Sequence, residues 1–131
     1  MRHISVLLIL LFVSLNGFAQ EEHHEHEQHH HPKYAKLKNP VPKTTESIAQ
    51  GKELYKKFCI VCHGEAGKGG KGPALSVPVL IHGNTDGEVF HVITAGVAGT
   101  AMKGFRSELP DEMRWHLVNY ITSLRKNASN K

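Results

Sequence analysis

The chain has 131 residues, of which 40% are hydrophobic and 21% are charged, and this composition is typical of one soluble domain. Its two cysteines exclude a disulfide-dense scaffold and a four-cysteine zinc site. The net charge is only +4 and no run of Lys or Arg exceeds two residues, so we expect no nucleic-acid partner. Histidine is the unusual residue, because 11 are present and six of them fall between positions 23 and 31.

Residues 1–19 have the pattern of a secretory signal peptide. Arg2 supplies a short positive region, an unbroken apolar run follows over residues 6–13, and Gly17 and Ala19 are the small residues of a cleavage site after Ala19. The alternative is an uncleaved membrane anchor, but a spanning helix needs about 20 apolar residues and this stretch is shorter. We therefore predict an exported protein with no stable membrane span after cleavage.

Residues 20–45 form a polar tail followed by a linker with three prolines, and we predict that this segment is flexible. Neutral imidazoles suit zinc, copper or nickel, so the tail is a candidate site for a divalent metal. The alternative is a solvated tail that becomes charged as the pH falls through about 6.5. The candidate accessory metal ligands are His23, His24, His26, His29, His30 and His31.

Residues 46–127 are predicted to form the one folded domain, which a short C-terminal tail follows at residues 128–131. The first helix is expected to begin at Ser47, which has capping-box spacing to Gln50. Apolar residues recur on one face of this helix as far as Phe58, and we expect the helix to run to about Cys59 or a little beyond.

Two further helices are predicted after a loop rich in glycine and proline. Thr85 and Glu88 have the spacing of a second capping box, and Gly96 is a natural stop for that helix. Pro110 suits the first position of the last helix, whose apolar residues run to Leu124. No segment alternates with period two, so the predicted class is all-α, with three main helices and long loops. So small a core needs a further group at its centre.

A C-x-x-C-H motif at residues 59–63 is the signature of covalent c-type haem attachment. Cys59 and Cys62 are spaced to reach the two vinyl groups of one haem, and His63 would lie under the iron as an axial ligand. A thioredoxin-like redox pair would need a βαβ context, a zinc site would need further ligands, and a disulfide would not explain the histidine. The motif therefore predicts one haem c.

The sixth ligand of the iron decides the function. Met102 lies in a predicted loop, from which its thioether can approach the face of the haem opposite His63. Met113 lies at the start of the last predicted helix, where a packing or surface role is expected. The alternatives are that Met102 only fills a gap in the core, or that His82 or His91 is the ligand.

These features together resemble the class I cytochrome c family over residues 47–126. The order of ligands, C-x-x-C-H and then a loop methionine at Met102, is that of the family, and Gly-Pro-Ala-Leu at residues 72–75 looks like its proline segment. The resemblance implies that the backbone carbonyl of Pro73 accepts a hydrogen bond from His63, which fixes the imidazole. It also implies a crossing of the first and last helices at Gly51, Tyr55, Leu117 and Tyr120.

The family resemblance implies a periplasmic electron-transfer protein of bacterial type that is not an enzyme. One haem iron, held by His63 and Met102, would cycle between Fe(II) and Fe(III) and exchange electrons with redox partner proteins. Two other functions stay open. One is a haem enzyme or gas sensor with an open sixth position, and the other is a metal-handling protein that acts through the histidine-rich tail.

Overall fold

The computed structural model describes residues 29–129 as helices joined by long loops. Apart from an isolated bridge between Gly96 and Lys103, this range contains no β-structure, so the predicted all-α class is confirmed. None of the helices in the described range combines the length and apolar content that crossing a bilayer requires. The predicted signal peptide lies outside the described residues. The elements are α1 (Pro32–Ala35), α2 (Thr45–Phe58), α3 (Ile60–His63), a 3₁₀ turn (Glu65–Gly67), α4 (Asp86–Ala95) and α5 (Asp111–Ser129).

The N-cap of helix α2 is Thr44, three residues before the Ser47 cap that the capping-box pattern predicts. The Thr44 hydroxyl accepts a hydrogen bond from the backbone N–H of Ser47 at 3.1 Å, which satisfies one open donor of the first turn. Ser47 is itself buried, and its hydroxyl oxygen lies 2.8 Å from Nδ1 of His116 on α5. The side chain that the pattern assigns to the cap is therefore used in a contact between helices.

Helix α4 begins at the predicted capping box. The Thr85 hydroxyl accepts from the N–H of Glu88 at 3.3 Å, and the Glu88 carboxylate accepts from the N–H of Thr85 at 3.1 Å. Burial of Glu88 raises the pKa of its carboxyl, but N–H donors from Thr85, His31 and Asn84 outweigh it and lower the pKa to about 2. Gly96 follows the last turn with φ of +74°, as a glycine stop requires.

Helices α2 and α5 cross at a point that only glycine can occupy. A Cβ atom at Gly51 would lie 2.1 Å from the backbone oxygen of His116, which is far inside a van der Waals contact. The rings of Tyr55 and Tyr120 pack beside this point with centroids 5.2 Å apart, and Leu117 is fully buried. The crossing that the family resemblance implies is therefore present.

Helix α4 packs against α5 through a stacked aromatic pair. The rings of Phe90 and Trp115 are nearly parallel, with an interplanar angle of 11° and centroids 3.9 Å apart. These two helices and α2 share one core. Its buried apolar side chains are Tyr55, Leu80, Val89, Phe90, Ile93, Phe105, Leu109, Trp115, Leu117, Val118, Tyr120 and Ile121.

The segment before α2 lies on the domain, whereas the sequence predicts a flexible stretch over residues 20–45. In its described part, residues 29–44, the amide of Asn39 donates to the side-chain oxygen of Asn119 on α5 at 2.9 Å. The Asn119 amide in turn donates to the backbone oxygen of Val41 at 3.2 Å. Asn119 is only 1% exposed, so these bonds are shielded from water. A distant helix thus supplies the partners that the polar composition of the segment does not reveal.

Candidate haem-attachment site

The two cysteines of the motif lie where α2 passes into α3. The N–H of Cys59 donates to the carbonyl of Tyr55 at 2.8 Å, and its own carbonyl accepts from the N–H of His63 at 2.9 Å. Cys59 is half-buried, Cys62 is exposed, and both are free thiols. Burial, followed by the charge of Cys62, raises the pKa of the Cys59 thiol to about 12. A thioredoxin-like pair needs a lowered thiol pKa, so this environment does not suit that alternative.

The imidazole of His63 is buried and has one fixed orientation. Its Nδ1 lies 2.9 Å from the backbone oxygen of Pro73. Because a carbonyl oxygen can only accept, Nδ1 carries the proton in this contact, and Nε2 of the neutral ring holds the free lone pair. No other hydrogen bond of this imidazole exists within residues 29–129, so Nε2 remains available as a metal ligand.

A glycine-rich loop wraps closely around the histidine. The N–H of Gly72 donates to the carbonyl of Cys62 at 2.8 Å, and the N–H of Gly69 donates to the carbonyl of His63 at 2.8 Å. A Cβ atom at Gly72 would lie 3.1 Å from Cε1 of the His63 ring, which is tighter than an ordinary contact. Glycine at this position therefore lets the backbone approach the imidazole closely enough for the Pro73 oxygen to reach Nδ1.

Tyr55 fixes the turn that follows the motif, a role that the sequence analysis missed. Its hydroxyl donates to the backbone oxygen of Gly64 at 2.8 Å. Burial, followed by the nearby Cys59, raises the pKa of this phenol to about 12, so it remains a donor at neutral pH. The only sequence signal is a tyrosine one helical turn before the first cysteine. A Cβ at Gly64, whose φ is +72°, would lie 2.2 Å from the oxygen of Gly69.

Met102 lies in the loop between α4 and α5, as predicted. Its backbone carbonyl accepts from the N–H of Val97 at 2.9 Å, and its N–H donates to the hydroxyl of Thr100 at 3.1 Å. The half-buried Met102 side chain packs against the same core as Cys59. By contrast, Met113 is 43% exposed on α5, where its thioether is turned partly to solvent.

The donor set fits a haem of the c type. It offers two free thiols separated by two residues and an imidazole with its Nε2 lone pair free, and a methionine thioether lies on the same core. It does not fit zinc, because within residues 29–129 no three His, Cys, Asp or Glu side chains converge on one point. His82 and His91 lie instead against the N-terminal segment, where they stack on His29 and Tyr34.

A protein-family model described as "Cytochrome C oxidase, cbb3-type, subunit III" matches residues 46–121, which include the motif, the proline segment and Met102. The chain belongs to this family of c-type cytochrome domains. The predicted resemblance to class I cytochromes c is confirmed, and so is haem c as the cofactor. Electron transfer is the function of such cytochrome domains, which act with redox partners.

Individual relatives are similar to this cytochrome domain over part of their length. A dihydro-heme d1 dehydrogenase of Pseudomonas aeruginosa is 36% identical over 73 residues, which are 56% of this chain and 15% of that protein. A cbb3-type cytochrome c oxidase subunit CcoP of an Azospirillum species is 28% identical over 96 residues, 63% of this chain and 32% of that protein. The chain thus spans less than a third of these curated relatives.

A solved structure with the same fold is cytochrome cL from the marine bacterium Methylophaga aminisulfidivorans. The TM-score is 0.57 at 28% sequence identity, and the superposed region covers 62% of this chain and 57% of that one. The comparison supports a cytochrome c fold for the helices and loops described above.

Of the candidate metal ligands in the tail, His23, His24 and His26 lie outside the described residues. His29 and His31 contact histidines of the domain, and Nδ1 of His30 lies 3.7 Å from the carboxylate of Glu88. Metal binding by the histidine-rich tail therefore stays a prediction.

Proposed function

We propose that this chain is an exported, periplasmic electron carrier with a single haem c, and that it is not an enzyme. Cys59 and Cys62 are the attachment residues, because two residues separate their thiols at a helix end, and one thiol is partly buried while the other is exposed. A haem held there supplies an iron that changes between Fe(II) and Fe(III). The chain's own residues hold it, set its axial ligands and limit its exposure to water.

His63 and Met102 are the proposed axial ligands. The observation that carries this proposal is the hydrogen bond between Nδ1 of His63 and the oxygen of Pro73. This bond holds the proton on Nδ1 and prevents the ring from turning. It leaves the lone pair of Nε2 free as a strong metal ligand. Met102 would complete the pair from the α4–α5 loop. With both axial positions taken by protein side chains, no position is left open for a substrate.

Methionine ligation and burial both favour the reduced iron, since each disfavours the extra positive charge of the ferric state. We therefore expect a reduction potential higher than that of a haem with two histidine ligands. The donor and acceptor are redox proteins that dock transiently.

The first test is a visible absorption spectrum of the exported protein, in the oxidised and reduced states and after addition of carbon monoxide. Haem that stays with the chain after denaturation supports attachment at Cys59 and Cys62. A methionine-to-ferric-iron band without a carbon monoxide response supports His63 and Met102 as ligands. A clear shift with carbon monoxide would contradict the carrier, and it would favour a haem enzyme or gas sensor with an open sixth position.

A second comparison addresses the metal-handling alternative. Deletion of residues 21–31 should leave the absorption spectrum and the electron-transfer rate of a carrier unchanged. If the deletion instead abolishes metal binding together with the activity of the protein, the protein handles metal through its histidine-rich tail.

A further inference from the structure

Four histidines meet where the N-terminal segment lies on the domain, and we name His29, His31, His82 and His91 the histidine patch. The rings of His29 and His82 have centroids 5.2 Å apart, and those of His31 and His91 have centroids 4.7 Å apart. Each pair joins one residue of the N-terminal segment to one residue of the domain. The haem site described above uses none of them.

Backbone hydrogen bonds anchor the N-terminal half of the histidine patch. The N–H of His29 donates to the carbonyl of Ile81 at 2.8 Å, and the N–H of His31 donates to the Glu88 carboxylate at 3.0 Å. On the other side, the ring of Tyr34 stacks on His91 with centroids 3.8 Å apart and planes 10° apart. The backbone contacts of His29 and His31 therefore hold the N-terminal segment in place without using its imidazoles, whereas His91 is held through its ring.

The separations in the histidine patch match those of two imidazoles bound to one metal ion. With a metal–nitrogen distance of about 2.0–2.1 Å, bond angles between about 90° and 109° place the two ring centroids about 4.5–5.2 Å apart. Both observed separations fall in this range. The planes of His31 and His91 differ by 63° and therefore intersect, as a shared ion requires, whereas the His29 and His82 rings are nearly parallel at 13°, so one of them would have to turn.

The charges around the patch act in both directions. The carboxylate of Glu88, which is buried and bonded to the backbone of His31, attracts a cation. The positive charges of Lys33 and Arg106 lie close enough to His91 to repel a bound cation. Burial, followed by the charges of His31, Arg106 and Lys33, lowers the pKa of His91, so its neutral ring keeps a lone pair at neutral pH.

We propose that His31 and His91 bind one divalent transition-metal ion of the kind that prefers imidazole, and that this ion fastens the N-terminal segment to α4. Since no three ligating side chains converge within residues 29–129, water completes the coordination of the two imidazoles. His29 and His82 stand beside the site as a second pair. The proposal deepens the prediction of a metal-binding tail by adding ligands from the domain, and it is independent of the haem.

Zinc is the probe of choice, because it does not exchange electrons with haem. Isothermal titration of Zn²⁺ into the exported haem protein measures the affinity, in a background where His23, His24 and His26 are changed to Gln. In this background His91→Gln should weaken Zn²⁺ binding by at least about tenfold, because the loss of a ligand should cost no less than the loss of a partner behind a ligand, which typically costs about 10–100-fold. The matched control is His116→Gln, which removes a buried histidine that faces Ser47 instead of the patch.

Thermal unfolding and the haem spectrum report whether each variant folds, so a loss of binding is not mistaken for a loss of structure. Zinc-edge X-ray absorption adds a count of bound imidazoles, and we expect two in the background protein and one after His91→Gln. The proposal fails if Zn²⁺ binds equally well after His31→Gln and His91→Gln, or if the background protein binds none. In the second case, retained binding by the unmodified protein would place the metal on the tail alone.

Discussion

The ring of Phe58 meets the ring of Phe105 nearly edge-on, with centroids 5.8 Å apart and planes at 69°. Phe58 directly precedes the first cysteine of the attachment motif, and Phe105 lies three residues beyond Met102 in the α4–α5 loop. The contact therefore ties together the two segments that carry the proposed ligands, although they are far apart in the sequence. It gives the methionine loop a fixed position relative to α2.

Replacement of Met102 should open the sixth position. In Met102→Ala we expect the methionine-to-ferric-iron band to disappear, carbon monoxide to bind the reduced protein, and the reduction potential to fall, because the thioether favours Fe(II). Absorption spectroscopy and a redox titration measure these changes. Met113→Ala is the matched control, since that side chain is 43% exposed on α5 and should leave all three readouts unchanged. An unchanged spectrum in Met102→Ala would remove Met102 from the ligand set.

A methyl group at Gly72 should disturb the imidazole beneath it. The new Cβ in Gly72→Ala would lie 3.1 Å from Cε1 of His63, so either the ring or the loop must give way and the Pro73 bond weakens. We expect a shifted reduction potential and altered haem absorption. Gly99→Ala is the control, because a Cβ there meets nothing within 4 Å and only a backbone cost of about 1 kcal/mol is expected from its positive φ. Equal spectra for both variants would show that the close approach of Gly72 does not hold the His63 ring.

The close crossing of α2 and α5 should not tolerate a side chain at Gly51. In Gly51→Ala the Cβ would lie 2.1 Å from the backbone oxygen of His116, so the helices must separate. We expect a loss of about 3 kcal/mol or more in the free energy of unfolding, measured by denaturant titration. Gln50→Ala changes the exposed neighbour on the same helix and should stay within about 0.5 kcal/mol. Wild-type stability in Gly51→Ala would mean that the crossing is looser than described.

Glu88 should make the protein sensitive to acid. The pKa of its carboxyl is about 2 in the folded protein, against an ordinary value of 4.5. The charged carboxylate therefore stabilises the fold fully at a pH above 4.5, and this stabilisation is lost as the pH falls towards 2. We expect the free energy of unfolding to fall by about 2–3 kcal/mol over this interval on account of Glu88. The fall should be smaller by that amount in Glu88→Gln, measured by urea titration at each pH.

The control for this pH series is Glu112→Gln, which changes the charge of the chain equally at an exposed position in the first turn of α5. It should follow the wild-type pH profile far more closely than Glu88→Gln does. Parallel profiles for wild type and Glu88→Gln would show that the N–H donors do not favour the charged carboxylate.

Local signals in the sequence predict the parts of this fold that depend on neighbouring residues. Thr85 and Glu88 form the expected capping box, and the loop position of Met102 follows from the breaks on either side of it. The N-cap of α2 could not be predicted, because the choice of Thr44 over Ser47 depends on a buried bond between Ser47 and His116. Likewise, the packing of residues 29–44 depends on Asn119, which lies 80 residues after its partner Asn39 in the sequence.

Some features of the candidate site can be predicted from the sequence and others depend on distant residues. The spacing of Cys59, Cys62 and His63 follows from the sequence, because the motif is contiguous. The bond from His63 to Pro73 came only from the family resemblance, and the structure supplies its distance of 2.9 Å. The anchoring of Gly64 by Tyr55 had no recognisable pattern, because a tyrosine on an amphipathic helix is indistinguishable from one that merely packs in the core.

The contact between Gly51 and His116 has a consequence for the order in which the domain matures. Its two sides belong to the first and the last long helix, so α2 lacks its main partner until nearly the whole chain has been made. Closure of the domain therefore comes late, after a costly long-range search. Throughout that interval the thiols of Cys59 and Cys62, at the end of a helix that has not yet met α5, stay accessible from solvent.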